Sequence, residues 1–172
     1  MDRSPRQGVL LRRIRAMTAF FIVALVGAGL TAIPIEWESD LMARAVGLAP
    51  GADPGACAGV LHWVAFVREG IHETAARYPF MAYGFDWLAF SHVLLGILFI
   101  GVWRDPVRNS WIVTFGMMAC VLVFPMALGF GHVRGIPWFW QLIDCSFGVF
   151  GFIPLWLLRR YTLELQAFEK SA

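Results

Sequence analysis

In this chain of 172 residues, 59% are hydrophobic and 15% charged, and 8 Trp and 15 Phe add large apolar surfaces. A soluble domain of this size cannot bury that much apolar surface. The formal charge of +2 is small and the arginines flank apolar stretches instead of lining one groove, which argues against nucleic acid as a partner.

Residues 1–16 form a basic segment holding Arg3, Arg6, Arg12, Arg13 and Arg15. The first apolar stretch, 17–35, follows it. Basic residues before the stretch and Thr31 and Ala32 after it resemble a secretory signal. Its apolar run, however, exceeds the usual length of about 7–15 residues and no A-x-A site ends it, so the expectation is a retained helix. Three more stretches, 80–103, 111–130 and 138–158, are each long enough to cross a hydrocarbon layer of about 30 Å at roughly 1.5 Å per residue. Residues 159–172 remain as a tail. The expected fold class is all-α, an integral membrane bundle of four transmembrane helices (17–158) with a helical outer loop (36–79).

Orientation follows from charge. With the N-terminus inside, the inner segments carry Arg3, Arg6, Arg12, Arg13, Arg15, Arg104, Arg108, Arg159, Arg160 and Lys170, and the outer ones only Arg44, Arg68, Arg77 and Arg134. The positive-inside rule then places both termini in the cytoplasm. Aromatic residues mark the same edges: Trp103, Trp111, Trp156 and Tyr161 at the inner one, and Trp37, Tyr78, Tyr83, Trp138 and Trp140 at the outer one. Pro79, Asp105-Pro106 and Pro137 suit the starts of helices two, three and four, because the first turn has no acceptor for the missing N–H.

The outer loop is too long for a plain connection and is expected to carry one or two short helices. Glu36, Glu38 and Asp40 open it, Pro50-Gly51 and Asp53-Pro54-Gly55 break it, and Cys57–Tyr78 reads as a helix interrupted at Gly59 and Gly70. On that helix apolar and polar residues alternate in a way that suits either an interfacial helix on the outer leaflet or a cap over the bundle. His62, Glu69, His72 and Glu73 are the candidate metal ligands, since Glu69-Gly-Ile-His72 has the Glu-x-x-His spacing of di-metal bundles. Only one copy is present, and solvated side chains on a polar face explain it equally simply.

Within the spans, Asp86, His92 and Asp144 are ionisable groups at membrane depth, costly there unless paired or wetted, and therefore functional candidates. Gln141, Asp144, Gly148 and Gly151 recur at spacings of three and four, which places Asp144 on a face of small residues turned into the bundle. Arg134 and His132, just outside, are within plausible reach of Asp144 or Asp86. The candidate functional cluster is therefore Asp86, His92, Arg134 and Asp144, in the outer half of the bundle. A structural salt bridge, or a carboxylate at a helix end, accounts for the same residues. Haem between His92 and His132 is a further possibility, limited by their different depths and the absence of Cys-x-x-Cys-His. The cofactor is thus left open. The odd cysteine count, Cys57, Cys120 and Cys145, argues against a thiol-disulfide enzyme, although a Cys57–Cys145 bond is conceivable if the loop folds inwards. Pro125 and Pro154 are expected to bend helices three and four.

The stretches Tyr78–His92 (YPFMAYGFDWLAFSH), Arg104–Asn109 (RDPVRN) and Arg134–Gly151 (RGIPWFWQLIDCSFGVFG) resemble those of a family of small bacterial four-span membrane proteins without an assigned activity. The resemblance covers about the last hundred residues; it implies location and helix number and supplies no substrate, cofactor or catalytic residue. Three function classes stay open. The leading one is a non-catalytic interaction or scaffold subunit, with the lipid bilayer and other membrane subunits or a second copy as partners. The others are a membrane enzyme or redox protein with an outer-face metal or haem site, and a proton-coupled carrier using Asp86, His92 and Asp144.

Overall fold

The computed structural model describes residues 5–170, so Arg3 and Ser171 lie outside it. Among the described residues every regular element is helical. The helices are α1 (Pro5–Thr31), α2 (Ile35–Ala45), α3 (Gly59–Arg77), α4 (Tyr83–Arg104), α5 (Ser110–Pro125), the one-turn α6 (Gly131–Val133) and α7 (Trp138–Lys170). Four helical stretches, Pro5–Thr31, Pro79–Arg104, Ser110–Val133 and Trp138–Lys170, are long and apolar enough to cross a membrane.

Several boundaries differ from the sequence reading. α1 begins twelve residues before 17 because Leu10, Leu11, Ile14 and Thr18 already lie on one buried stripe with helical spacing. α7 likewise runs past 158 to Lys170, since Leu158, Thr162 and Leu165 continue the buried stripe of Leu155. The third long helix starts at Ser110, later than Pro106. The Asp105 carboxylate accepts from Arg108 N–H at 3.0 Å, and the Asn109 amide donates to the carbonyls of Gly101 and Asp105, which locks a turn instead of a first helical turn. Pro79 opens a 3-10 turn, Pro79–Ala82, that leads into α4. α3 passes through Gly70 without a break.

Pro125 ends α5 and is followed by a π-helical turn, Met126–Phe130, so the stress of the missing N–H is taken up by a wider turn that carries the helix on to Val133. Two helix ends close with glycine in the left-handed region. Gly47 (φ 81°) follows α2, with Leu48 N–H bonded to Ala43 O; Gly135 (φ 69°) follows α6, with Ile136 N–H bonded to Gly131 O. Both are Schellman closures, which a side chain at the glycine position would strain.

The chain divides into two units, residues 5–23 with 96–170 and residues 24–95. In the first, α5 and α7 pack most intimately, and glycines set the separation. A Cβ on Gly148 would stand 2.6 Å from Cys120 O and 3.0 Å from the Phe124 ring, and one on Gly151 would stand 2.9 Å from Cys120 Sγ. Gly116 meets Leu155 and Phe99 in the same way. Small residues permit this approach, and dispersion over the close surface supplies the attraction. Ile14, Val102, Val113, Leu155 and Leu158 complete the buried interior of this unit.

At the Trp103 end of the unit, arginines settle on partners. Arg6 Nη2 stands 2.6 Å from Glu164 Oε1. Arg13 lies over Tyr161, Arg15 over Trp103 and Arg160 over Trp156, each guanidinium 4.9–5.8 Å from the ring centroid. The second unit holds the α2–α3 hairpin, the end of α1 and the first half of α4. There a Cβ on Gly29 would stand 2.7 Å from His92 Cβ and 2.8 Å from Ala89 O, so α1 and α4 also approach closely through a glycine.

Candidate functional site

The densest polar arrangement lies between α2 and α3; of its residues the sequence reading assigned His72 to the candidate metal ligands and left Glu36, Asp40 and Arg68 in the loop without a site. On α2, Glu36 and Asp40 are one turn apart; on α3, Arg68 and His72 are one turn apart. Antiparallel packing brings the pairs together. Arg68 Nε donates to Asp40 Oδ1 at 2.6 Å, and His72 Nε2 is 3.0 Å from the same oxygen. His72 Nδ1 stands 3.4 Å from Glu36 Oε2. The hydrogen bond from Arg68, and then that from His72, holds the Asp40 carboxyl below its ordinary value.

Apolar contacts complete this face: Ala43, Val64 and Ala65 are buried, and the buried Ser39 hydroxyl donates to Glu36 O at 2.7 Å. Beside it a cavity of about 160 Å³ is lined by Asp40, Arg44, Leu48, Pro50 and Arg68 among others. The connection is also built from local hydrogen bonds. The Asp53 carboxylate accepts from Gly55 N–H at 2.8 Å, and His62 Nδ1 is 2.9 Å from Pro54 O. The hairpin's outer surface mixes the exposed charges Glu36, Arg44, Glu69, Glu73 and Arg77 with large apolar residues: Trp37 is 57% exposed, Leu41 46% and Phe66 53%.

The four candidate metal ligands have different surroundings. His62 lies against the carbonyl of Pro54 and stacks on Phe66, and His72 turns toward α2 and its two carboxylates. Glu69 and Glu73 are exposed. Among the described residues no three His, Cys, Asp or Glu side chains are gathered as a metal ion needs. The three cysteines are free thiols.

Of the candidate cluster, Asp86 and His92 belong to the second unit and Arg134 and Asp144 to the first. Asp86 is exposed in the first turn of α4, where a carboxylate opposes the positive end of the helix dipole. His92 Nδ1 is 2.9 Å from Leu88 O of its own helix, and its Cβ faces the Gly29 position of α1. Six residues apart on one helix, Asp86 and His92 project from different sides. Arg134 is exposed at the end of α6, Asp144 is partly buried beside Cys145 on α7, and the two form no ion pair. Gln141, read from sequence as part of the Asp144 face, closes the α6–α7 turn by donating to Ile136 O at 2.7 Å. It also lies where a Cβ on Gly131 would stand.

In the sequence the arrangement leaves only the pairs Glu36/Asp40 and Arg68/His72, each at i, i+4, as a trace, and neither pair names its partner helix. No family model, curated protein or solved structure matches the chain.

Proposed function

We propose that this protein is a multi-pass protein of the bacterial inner membrane, with both termini in the cytoplasm, and that it acts as an interaction or scaffold subunit. The α2–α3 hairpin is its outward contact surface. The observation that carries the reading is the set of large apolar side chains exposed on that hairpin. Asp40, Arg68 and His72 satisfy one another on the inner face, while Trp37, Leu41 and Phe66 stand exposed on the helices. A hairpin that needs only solubility does not require aromatic side chains on its surface; exposed aromatic residues on packed helices are the usual composition of a contact centre.

The four long apolar helices and the ten-to-four distribution of basic residues support the location and orientation. The resemblance of Tyr78–His92, Arg104–Asn109 and Arg134–Gly151 to small bacterial four-span proteins points the same way.

Site-specific photo-crosslinking in cells tests the reading, with a photoreactive phenylalanine analogue at Trp37, at Phe66 and, as control, at Arg12. The expected result is one discrete protein adduct from positions 37 and 66 and not from 12. Adducts to lipid alone would assign the hairpin to the leaflet surface and remove the scaffold reading.

A further inference from the structure

Along α5 and α7 of the first unit runs an apolar groove of about 420 Å³, lined by Thr114, Met118, Val121, Leu122 and Phe152 among others and ending at Arg159. Its origin is the glycine packing described above. Gly116, Gly148 and Gly151 draw the two helices together along one line, and residues beside that line form the walls of a trough. From Thr114 to Leu122 the trough extends about 12 Å along the helix axis. We infer that this groove holds one acyl chain of an acidic phospholipid, whose phosphate rests on Arg159.

Charge complementarity selects this occupant. Arg6, Arg13, Arg15 and Arg160 are engaged by Glu164, Tyr161, Trp103 and Trp156. Arg159 is exposed and, among the described residues, makes no ion pair or ring contact. It is the one charged residue of the groove lining. A guanidinium pairs with phosphate oxygens through two parallel N–H donors, a match that a neutral apolar helix from another chain does not offer. Trp156 and Tyr161 flank Arg159 in sequence and are residues suited to the headgroup level, so the polar end of the groove coincides with the interface and the apolar end points to the bilayer interior. Met117 and Met118 add an adaptable wall suited to chains of varied unsaturation.

The inference rests on the membrane reading above, and its test separates the two. The full chain, purified in detergent, is examined by native mass spectrometry with phosphatidylglycerol and phosphatidylcholine of identical acyl chains. One guanidinium near an anionic headgroup should favour phosphatidylglycerol by about fivefold. Arg159→Gln should abolish that preference, Arg159→Lys should keep most of it, and Arg12→Gln should leave it intact. Val121→Trp, which fills the trough, should lower retention of both lipids.

Equal retention of the two lipids by the unaltered chain, equal effects of Arg159→Gln and Arg12→Gln, unchanged retention in Val121→Trp, or a dimer mass in place of lipid adducts would each overturn the assignment. Carbonate extraction of cell membranes supplies the second readout. A chain released without detergent defeats the membrane reading itself, whereas one retained but without headgroup preference defeats only the groove assignment.

Discussion

Replacing Gly148 with alanine should weaken the packing of α7 on α5 more than any other single-methyl change in that unit. The new Cβ would stand 2.6 Å from the carbonyl oxygen of Cys120, a backbone atom that cannot rotate away, and 3.0 Å from the Phe124 ring. The helices must therefore separate by several tenths of an ångström along the line where their contact is closest. Overpacking of this kind costs about 1–3 kcal/mol. Alanine is the better helix former by about 0.5–1 kcal/mol, which offsets part of that cost. The net loss is then between about 0 and 2.5 kcal/mol, with a middle value of about 1 kcal/mol.

Two reference variants make the reasoning discriminating. At Gly151 the nearest atom is Cys120 Sγ at 2.9 Å, and a thiol can change rotamer, so Gly151→Ala should lose less. At Gly27 nothing lies within 4 Å, and Gly27→Ala should be neutral or stabilising. Unfolding in mixed micelles of increasing dodecyl sulfate content, followed by tryptophan emission, gives the order directly. Gly148→Ala as stable as Gly27→Ala would refute the account of α5–α7 packing.

The equivalent change in the second unit, Gly29→Ala, meets Ala89 O at 2.8 Å and His92 Cβ at 2.7 Å and should also destabilise, read by the same titration. Asp40→Asn removes the negative charge that Arg68 and His72 share, and faster protease cleavage between residues 46 and 58 is the expected sign of a loosened hairpin. Because Asp40 has its carboxyl lowered in the folded chain, its contribution is complete above the ordinary value of 3.8 and is lost as pH falls through the lower folded value. The Asp40-linked part of the protection of α2 and α3 from hydrogen exchange should therefore be lost only below the ordinary value of 3.8, and this step should be missing in Asp40→Asn. Glu164→Gln breaks an exposed pair with Arg6, and its effect on unfolding should be no more than about 0.5 kcal/mol.

The long apolar helices were legible because an uninterrupted apolar run of that length has few other physical explanations. Their ends were legible only where a local residue sets them. Pro79 and Pro137 stand at or beside helix starts, whereas Pro106 sits in a turn fixed by Asp105 and Asn109 side chains, a competition that proline alone does not reveal. The helical extensions before 17 and after 158 were written in the spacing of Leu10, Ile14 and Thr18 and of Leu158, Thr162 and Leu165. Nearby arginines masked that spacing because charge was read as the end of a helix.

The ion-paired hairpin was harder to foresee. Asp40 meets Arg68 and His72 from 28 and 32 residues away, and such pairing depends on how two helices dock, which a local pattern does not encode. The Glu-x-x-His spacing pairs Glu69 with His72 on one helix, whereas docking turns His72 toward α2.

The most direct test of the central claim, a four-span protein with its hairpin outside and both ends inside, is cysteine labelling with a membrane-impermeant maleimide on intact spheroplasts. In a background with Cys57, Cys120 and Cys145 replaced, single cysteines are placed at Gly51, between α2 and α3, and at Glu169, near the end of α7. The account predicts labelling at 51 in intact spheroplasts and at 169 only after lysis. Labelling of 169 in intact spheroplasts, with 51 protected until lysis, would contradict it.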